Sequence, residues 1–150
     1  MLGLGEPPLS IYLNDHLAGA TVGVNLAHRA APGAIAVEIE EDRDALVQIM
    51  DRLGVGRDPV KLAVGWAAVQ AARLRFAAVP LSGLEEIEAL ALGVEGKLAL
   101  WQVLRHTHGD DPRLRGVDLD DLISRARSQR RTLERLRLRA ADGAFVSGTA

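Results

Sequence analysis

Apolar residues recur along this chain at spacings of three and four, and punctuation residues cut the pattern into five helical segments. The first segment is predicted over Ser10–Arg29, with Leu13, Leu17, Ala20, Val24 and Ala27 on one stripe, and Pro32-Gly33 breaks it. The second is predicted over Ala34–Leu53, with Ile35, Ile39, Asp42, Leu46, Ile49 and Leu53 on its seam and Gly54 and Gly56 as its stop. Asp58-Pro59 reads as an N-cap followed by proline at the first helical position, opening a third helix to about Ala78. Ser82-Gly83-Leu84-Glu85 has the spacing of a capping box and opens the fourth, whose seam is Leu84, Ile87, Ala91, Val94, Leu98 and Trp101. After a loop holding Gly109 and Pro112, Asp118 is read as the cap of a fifth helix with Leu119, Leu122, Ala126, Gln129, Leu133 and Leu136 on its seam. The tail 142–150 is small and polar, and is expected to fray.

No strand alternation and no βαβ pattern interrupts these segments. The expected fold is all-α: an antiparallel four-helix bundle of two helical hairpins, first with second and fourth with fifth, joined by the third as a crossover. It fits one domain over 1–150, with an ordered core of about 10–140.

With 23 Ala and 23 Leu but only 3% aromatic residues, the core must be built from small and branched aliphatic side chains. Cysteine is absent, which excludes disulfides, thiolate metal sites and cysteine nucleophiles. Sixteen of the 18 basic residues are Arg; only Lys61 and Lys97 are Lys. Net charge is -2, divided as -5 over residues 1–60 and +3 over residues 61–150, so no basic patch dominates and no general nucleic-acid partner is expected. The segment Met1–Pro8 has no signal-peptide character, and the longest stretch without a formal charge, His16 to His28, is shorter than the roughly 18 apolar residues of a membrane span. A cytoplasmic location without a membrane anchor is expected.

The hairpin–crossover–hairpin order, the segment Tyr12-Leu-Asn-Asp-His-Leu-Ala-Gly-Ala20 and the acidic run Glu38-Ile-Glu-Glu-Asp-Arg43 together resemble the ferritin-like superfamily over roughly residues 10–140. That resemblance implies a helical bundle with a site at its middle. Its metal-binding members carry a Glu on each of two helices and Glu-x-x-His on the other two. Here His16, His28, His106 and His108 are preceded at that spacing by Leu13, Asn25, Val103 and Arg105, so none completes the motif.

Asp42 and Gln129 stand on otherwise apolar seams, and counting from the turns puts both near mid-bundle. Glu95 matches Gln129 in depth, and Glu88 lies one heptad before it. Asp42, Glu88, Glu95 and Gln129 are therefore the candidate ligand-binding residues, with His16, Asp42 and Glu95 the candidates for a divalent metal, which favours several oxygen ligands. The competing reading is a hydrogen-bonded network that fixes helix register, or pairing with neighbouring arginines. It is favoured because buried polar groups must find partners in any case.

His106-Thr-His108-Gly-Asp110-Asp111 approaches the H-x-H-x-D-H pattern of zinc hydrolases, but its last histidine is Asp111 and no sheet supports it. Histidines closing a helix answer its dipole instead. Gly54-Val-Gly-Arg-Asp-Pro59 lacks the ending of a phosphate loop and reads as a helix stop and start. The arginines of the fifth helix have no interleaved aromatics for base stacking and are expected to pair with acids, the second helix foremost.

The third helix is apolar nearly all round, including Val60, Val64 and Trp66. It is expected either to run through the domain or to lie under a second subunit. The functional expectation is a non-catalytic helical bundle, a homodimer, acting through protein contacts. The rival is a metal- or small-ligand-binding bundle using the interior polar cluster.

Overall fold

The computed structural model describes residues 7–31, 33–77 and 83–146. Five α-helices follow in order: α1 Pro7–Ala30, α2 Ala34–Arg52, α3 Pro59–Ala77, α4 Leu84–His108 and α5 Leu119–Phe145, with a short 3-10 turn at Pro112–Leu114. No strand occurs among the described residues. None of these helices is long and apolar enough to cross a membrane.

The helix boundaries follow from local chemistry. Leu53 closes α2 in a Schellman arrangement, with the Val55 N–H on Met50 O at 2.9 Å and the Gly54 N–H on Asp51 O at 3.2 Å. Gly54 takes a φ of 69°, which a glycine adopts without a Cβ penalty, and both Met50 and Val55 are buried. Asp58 caps α3, its Oδ1 accepting from the Val60 N–H at 2.9 Å and more weakly from Lys61. Asp118 caps α5 through the Asp121 N–H at 2.9 Å. The start of α4 differs from the capping box: Gly83 is the cap, with φ 76° and no side-chain hydrogen bond, while Ser82 lies outside the described residues. At the far end, α5 continues through Asp142 to Phe145, past the point where fraying was expected; residues 147–150 lie outside the described residues.

α1, α2, α4 and α5 share a core of two apolar layers. One gathers Leu13 and Leu17, Leu46 and Ile49, Leu98 and Trp101, and Leu122 and Ala126. The other gathers Val24 and Ala27, Ala36 and Ile39, Leu90 and Val94, and Leu133 and Ala140. The chain crosses from one layer to the other once on each helix, and three of those crossings carry a polar side chain: Asp42 between Ile39 and Leu46, Lys97 between Val94 and Leu98, Gln129 between Ala126 and Leu133. The fourth crossing, on α1 between Leu17 and Val24, carries Gly19 and Gly23.

α3 stands apart from this core. Its extensive contact is with α1, where a Cβ built on the buried Gly65 would stand 3.1 Å from the Ala18 carbonyl oxygen. The small residue lets the two backbones approach closely. Asn14 ties the approach to α3 in place: its Nδ2 donates to Ser10 O and Gly56 O, both at 2.9 Å, and its Oδ1 accepts from the Asp58 N–H at 2.7 Å. The outward side of α3 is open, with Val60, Val64 and Trp66 exposed by 69%, 64% and 57%. The helix therefore does not run through the middle of the domain, and Trp66 is not buried in crossover packing.

Candidate functional site

The polar layer between the two apolar ones is a hydrogen-bonded network built from three helices, in which Asp42 Oδ1 and Arg125 Nε find no hydrogen-bond partner among the described residues. Lys97 Nζ donates to Asp42 Oδ2 at 2.6 Å and to Gln129 Oε1 at 2.5 Å. The Gln129 amide donates to Asp42 Oδ2 at 3.0 Å and to Glu38 Oε2 at 3.2 Å. Arg125 reaches across from α5 to Glu41 Oε2 at 2.9 Å and to the Glu38 carbonyl oxygen at 3.1 Å. Its guanidinium also stands 3.6 Å from Asp42 Oδ1, close enough for charge attraction though too far for a hydrogen bond.

Helix periodicity explains the placement. Lys97 follows Val94 by three residues and precedes Trp101 by four, so it shares their inward stripe. Its side chain is 14% exposed and that of Asp42 only 1%. Burial pushes the Lys97 ammonium below its ordinary range, and the Asp42 carboxylate opposes that shift. The ammonium stands where a cation would sit between Asp42 and Gln129, and supplies the positive charge that the buried carboxylate needs.

The sequence expectation for this cluster divides. Asp42 and Gln129 do meet. Glu95 does not join them: it is exposed and ion-paired with Arg130, because it follows the seam residue Val94 by one position and is turned about 100° away. Glu88 is likewise exposed and faces Arg137 at 3.4 Å. His16 lies apart from the Asp42 carboxylate network, edge-on to Tyr12 with ring centroids 4.7 Å apart. Burial lowers its pKa from the ordinary 6.5, against the charge of Asp15. No group of three or more His, Cys, Asp or Glu side chains among the described residues could hold a metal ion. Lys97 and Glu38 were missed as partners, whereas pairing with a neighbouring arginine was among the alternatives and Arg125 supplies it. The signal for Lys97 was present, since it is one of only two lysines and falls on an apolar stripe.

His106 and His108 occupy the last turn of α4, where His108 Nδ1 lies 2.7 Å from the Thr107 hydroxyl. Asp111 serves the next turn, accepting from the Arg113 N–H at 2.9 Å and from its guanidinium, and those hydrogen bonds hold its pKa down to about 2. The zinc-hydrolase pattern is thus spent on two helix ends. Three of the seven arginines of α5 pair with acids: Arg125 with α2, as expected, but Arg130 and Arg137 with α4.

Beside the network, α1, α2 and α4 enclose a cleft of about 260 Å³. Asp42 and Lys97 form part of one wall, His16 and Trp101 border it, and Ile39, Leu46, Leu90 and Leu100 make it apolar. Its breadth comes from glycine: Gly19 and Gly23 on α1 and Gly93 and Gly96 on α4 all line it, and a Cβ added at any of them meets nothing within 4 Å. Compared with protein-family models, with curated proteins and with solved structures, the chain matches none.

Proposed function

We propose that this protein is a non-catalytic helical bundle that works through protein contacts, with α3 as its docking helix and a second copy of the chain as the partner. The observation that carries this reading is the open apolar side of α3, where Val60, Val64 and Trp66 are each more than half exposed. Val60, Val64, Ala67 and Ala71 are all exposed and spaced four, three and four residues apart, the interval of a helix–helix seam. Ala63, Ala67 and Ala68 keep that side low enough for a second helix to approach. From Leu62 to Ala72 the sequence has no charged residue, so a like copy would bring no unmatched charge into the contact.

The layout of two helical hairpins joined by α3, which resembles the ferritin-like superfamily, belongs to the same reading. Two things support it: the pairing of α1 with α2 and of α4 with α5, and the position of α3 between them in sequence. Against a metal function stands Lys97, whose ammonium already balances Asp42. The polar layer is then a register device, matching one lysine on α4 to one carboxylate on α2 and one amide on α5.

The chain has no cysteine, so a single introduced thiol reports only on its own position. Val64→Cys should form a disulfide-linked dimer rapidly under mild oxidation at low micromolar protein. Leu92→Cys, equally open on α4, should not. Equal slow cross-linking of both variants would refute α3 as the contact.

A further inference from the structure

We infer that the outer groove between α4 and α5 docks an acidic helical segment of a partner protein, one with carboxylates along one stripe and an apolar anchor beside them. Glu95 meets Arg130 and Glu88 meets Arg137, so the two helices run antiparallel, and an open groove of about 1110 Å³ lies along them. No residue of α3 lines it, so this surface is separate from the proposed dimer contact.

The first observation is a surplus of positive charge. Five arginines line the groove against three glutamates, on a chain whose net charge is -2. Arg137 takes Glu88 and Glu134, and Arg130 takes Glu95, which uses all three acids. Arg127, Arg131 and Arg135 remain, exposed and without an acidic partner among the described residues; Arg135 reaches only the Thr132 hydroxyl. Like charges four residues apart on a helix repel, so this stripe costs α5 stability. The helix dipole does not call for it either. Cations are favoured in a last turn, yet the last turn of α5 has no basic residue and the three arginines stand mid-helix.

The second observation is Leu92. It lies in the groove and is 75% exposed, more than any other large apolar side chain among the described residues. A leucine beside surplus cations suits an acidic peptide that carries an apolar side chain, and a bare polyanion has no use for it. No aromatic side chain lines the groove for a base to stack on, and Glu88 and Glu95 stand along its α4 side against a phosphate chain.

Spacing sets the form of the occupant. Arg127, Arg131 and Arg135 follow one another at about 6 Å along α5, the rise over four residues of any helix. A helix laid in the groove with an acid at every fourth position therefore offers one carboxylate to each arginine, and Leu92 meets the apolar side chain next to that stripe.

The test titrates the full chain into a fluorescein-labelled helical peptide and reads fluorescence anisotropy. The peptide has glutamate at every fourth position and leucine beside that stripe. Companion probes are the same peptide with serine for each leucine, and a single-stranded oligothymidylate. The leucine peptide should bind saturably and lose affinity as salt rises, because exposed charges are screened. Replacing Arg127, Arg131 and Arg135 together by Gln should weaken it about tenfold, the scale of three exposed charge pairs. Leu92→Ser should weaken it as well, and the serine peptide should bind the parent less tightly. All four positions are exposed, and helical circular dichroism verifies that the variants fold. Absence of saturable binding overturns the inference, as does a triple variant that binds like the parent. Tighter binding of oligothymidylate than of the peptide, with Leu92→Ser without effect, would make the groove a nucleic-acid site and overturn it too. Val64→Glu, which breaks the α3 contact, should bind the peptide like the parent, so this inference and the α3 reading fail separately.

Discussion

The polar layer at Lys97 and the outer face of α3 invert the usual division of a globular protein. At the first, a charged side chain lies inside; at the second, valine and tryptophan lie outside. The two differ in how far the chain completes them. Lys97 finds Asp42 and Gln129 on two other helices, and Gln129 in turn finds Glu38, so the interior exception is resolved within one molecule. α3 rests on α1 along one side, and within the chain Val60, Val64 and Trp66 remain exposed. An apolar pattern states which faces avoid water; it does not state whether the covering surface is supplied in the same chain.

The comparison breaks most visibly at Lys97. Lys97→Met leaves the Asp42 carboxylate buried without its cation and should cost about 3–5 kcal/mol in urea unfolding. Adding Asp42→Leu to that variant should recover most of the loss, because an apolar pair of similar volume carries no uncompensated charge. On α3, by contrast, Val64→Ser should change the stability of the dilute chain by no more than about 0.5 kcal/mol, as surface substitutions do. Equal costs at the two places would erase the distinction between them.

Gln129→Leu comes next. It removes the amide that joins Lys97, Asp42 and Glu38, and should cost about 1–3 kcal/mol, the scale of an unsatisfied buried group. Added divalent metal should leave the melting temperature of the parent protein unchanged. A metal-dependent rise that Asp42→Asn abolishes would instead make the layer a cation site.

Smaller effects sharpen the account of the cleft that adjoins the layer. Gly93→Ala should stabilise by up to about 1 kcal/mol, since helix propensity improves and the new Cβ meets nothing. His16 adds a pH dependence. Its folded pKa lies below 6.5, so between that lowered value and 6.5 the unfolded chain holds a proton that the folded chain does not. Stability should therefore fall as pH drops through that window. A melting series from pH 7.5 down to pH 5 should show a shallower decline for His16→Gln than for the parent.

Much of this architecture was legible from local chemistry. Asp58-Pro59 and Asp118 marked helix starts that the structure keeps, because capping depends on a few adjacent residues. Asp42 and Gln129 were found because a polar residue on an apolar seam has few other places to go. Glu95 was misplaced because depth along a hairpin fixes the level of a residue but not its direction, and one position past the seam points elsewhere. Lys97 was passed over as composition although its spacing to Val94 and Trp101 placed it inward. The cleft was not legible at all. A glycine in a helical pattern reads the same whether a neighbour presses on it, as Ala18 does on Gly65, or open space lies above it, as at Gly93.

The central claim, that the apolar side of α3 is completed by a second copy, is tested most directly by mass in solution. Sedimentation equilibrium of the parent chain should give twice the 16.1 kDa monomer mass at tens of micromolar protein. Val64→Glu, which sets a charge in the middle of the face, should return the mass to the monomer value with the helical circular dichroism intact. A parent chain that stays monomeric across that range, or a dimer that Val64→Glu leaves undisturbed, would contradict the account.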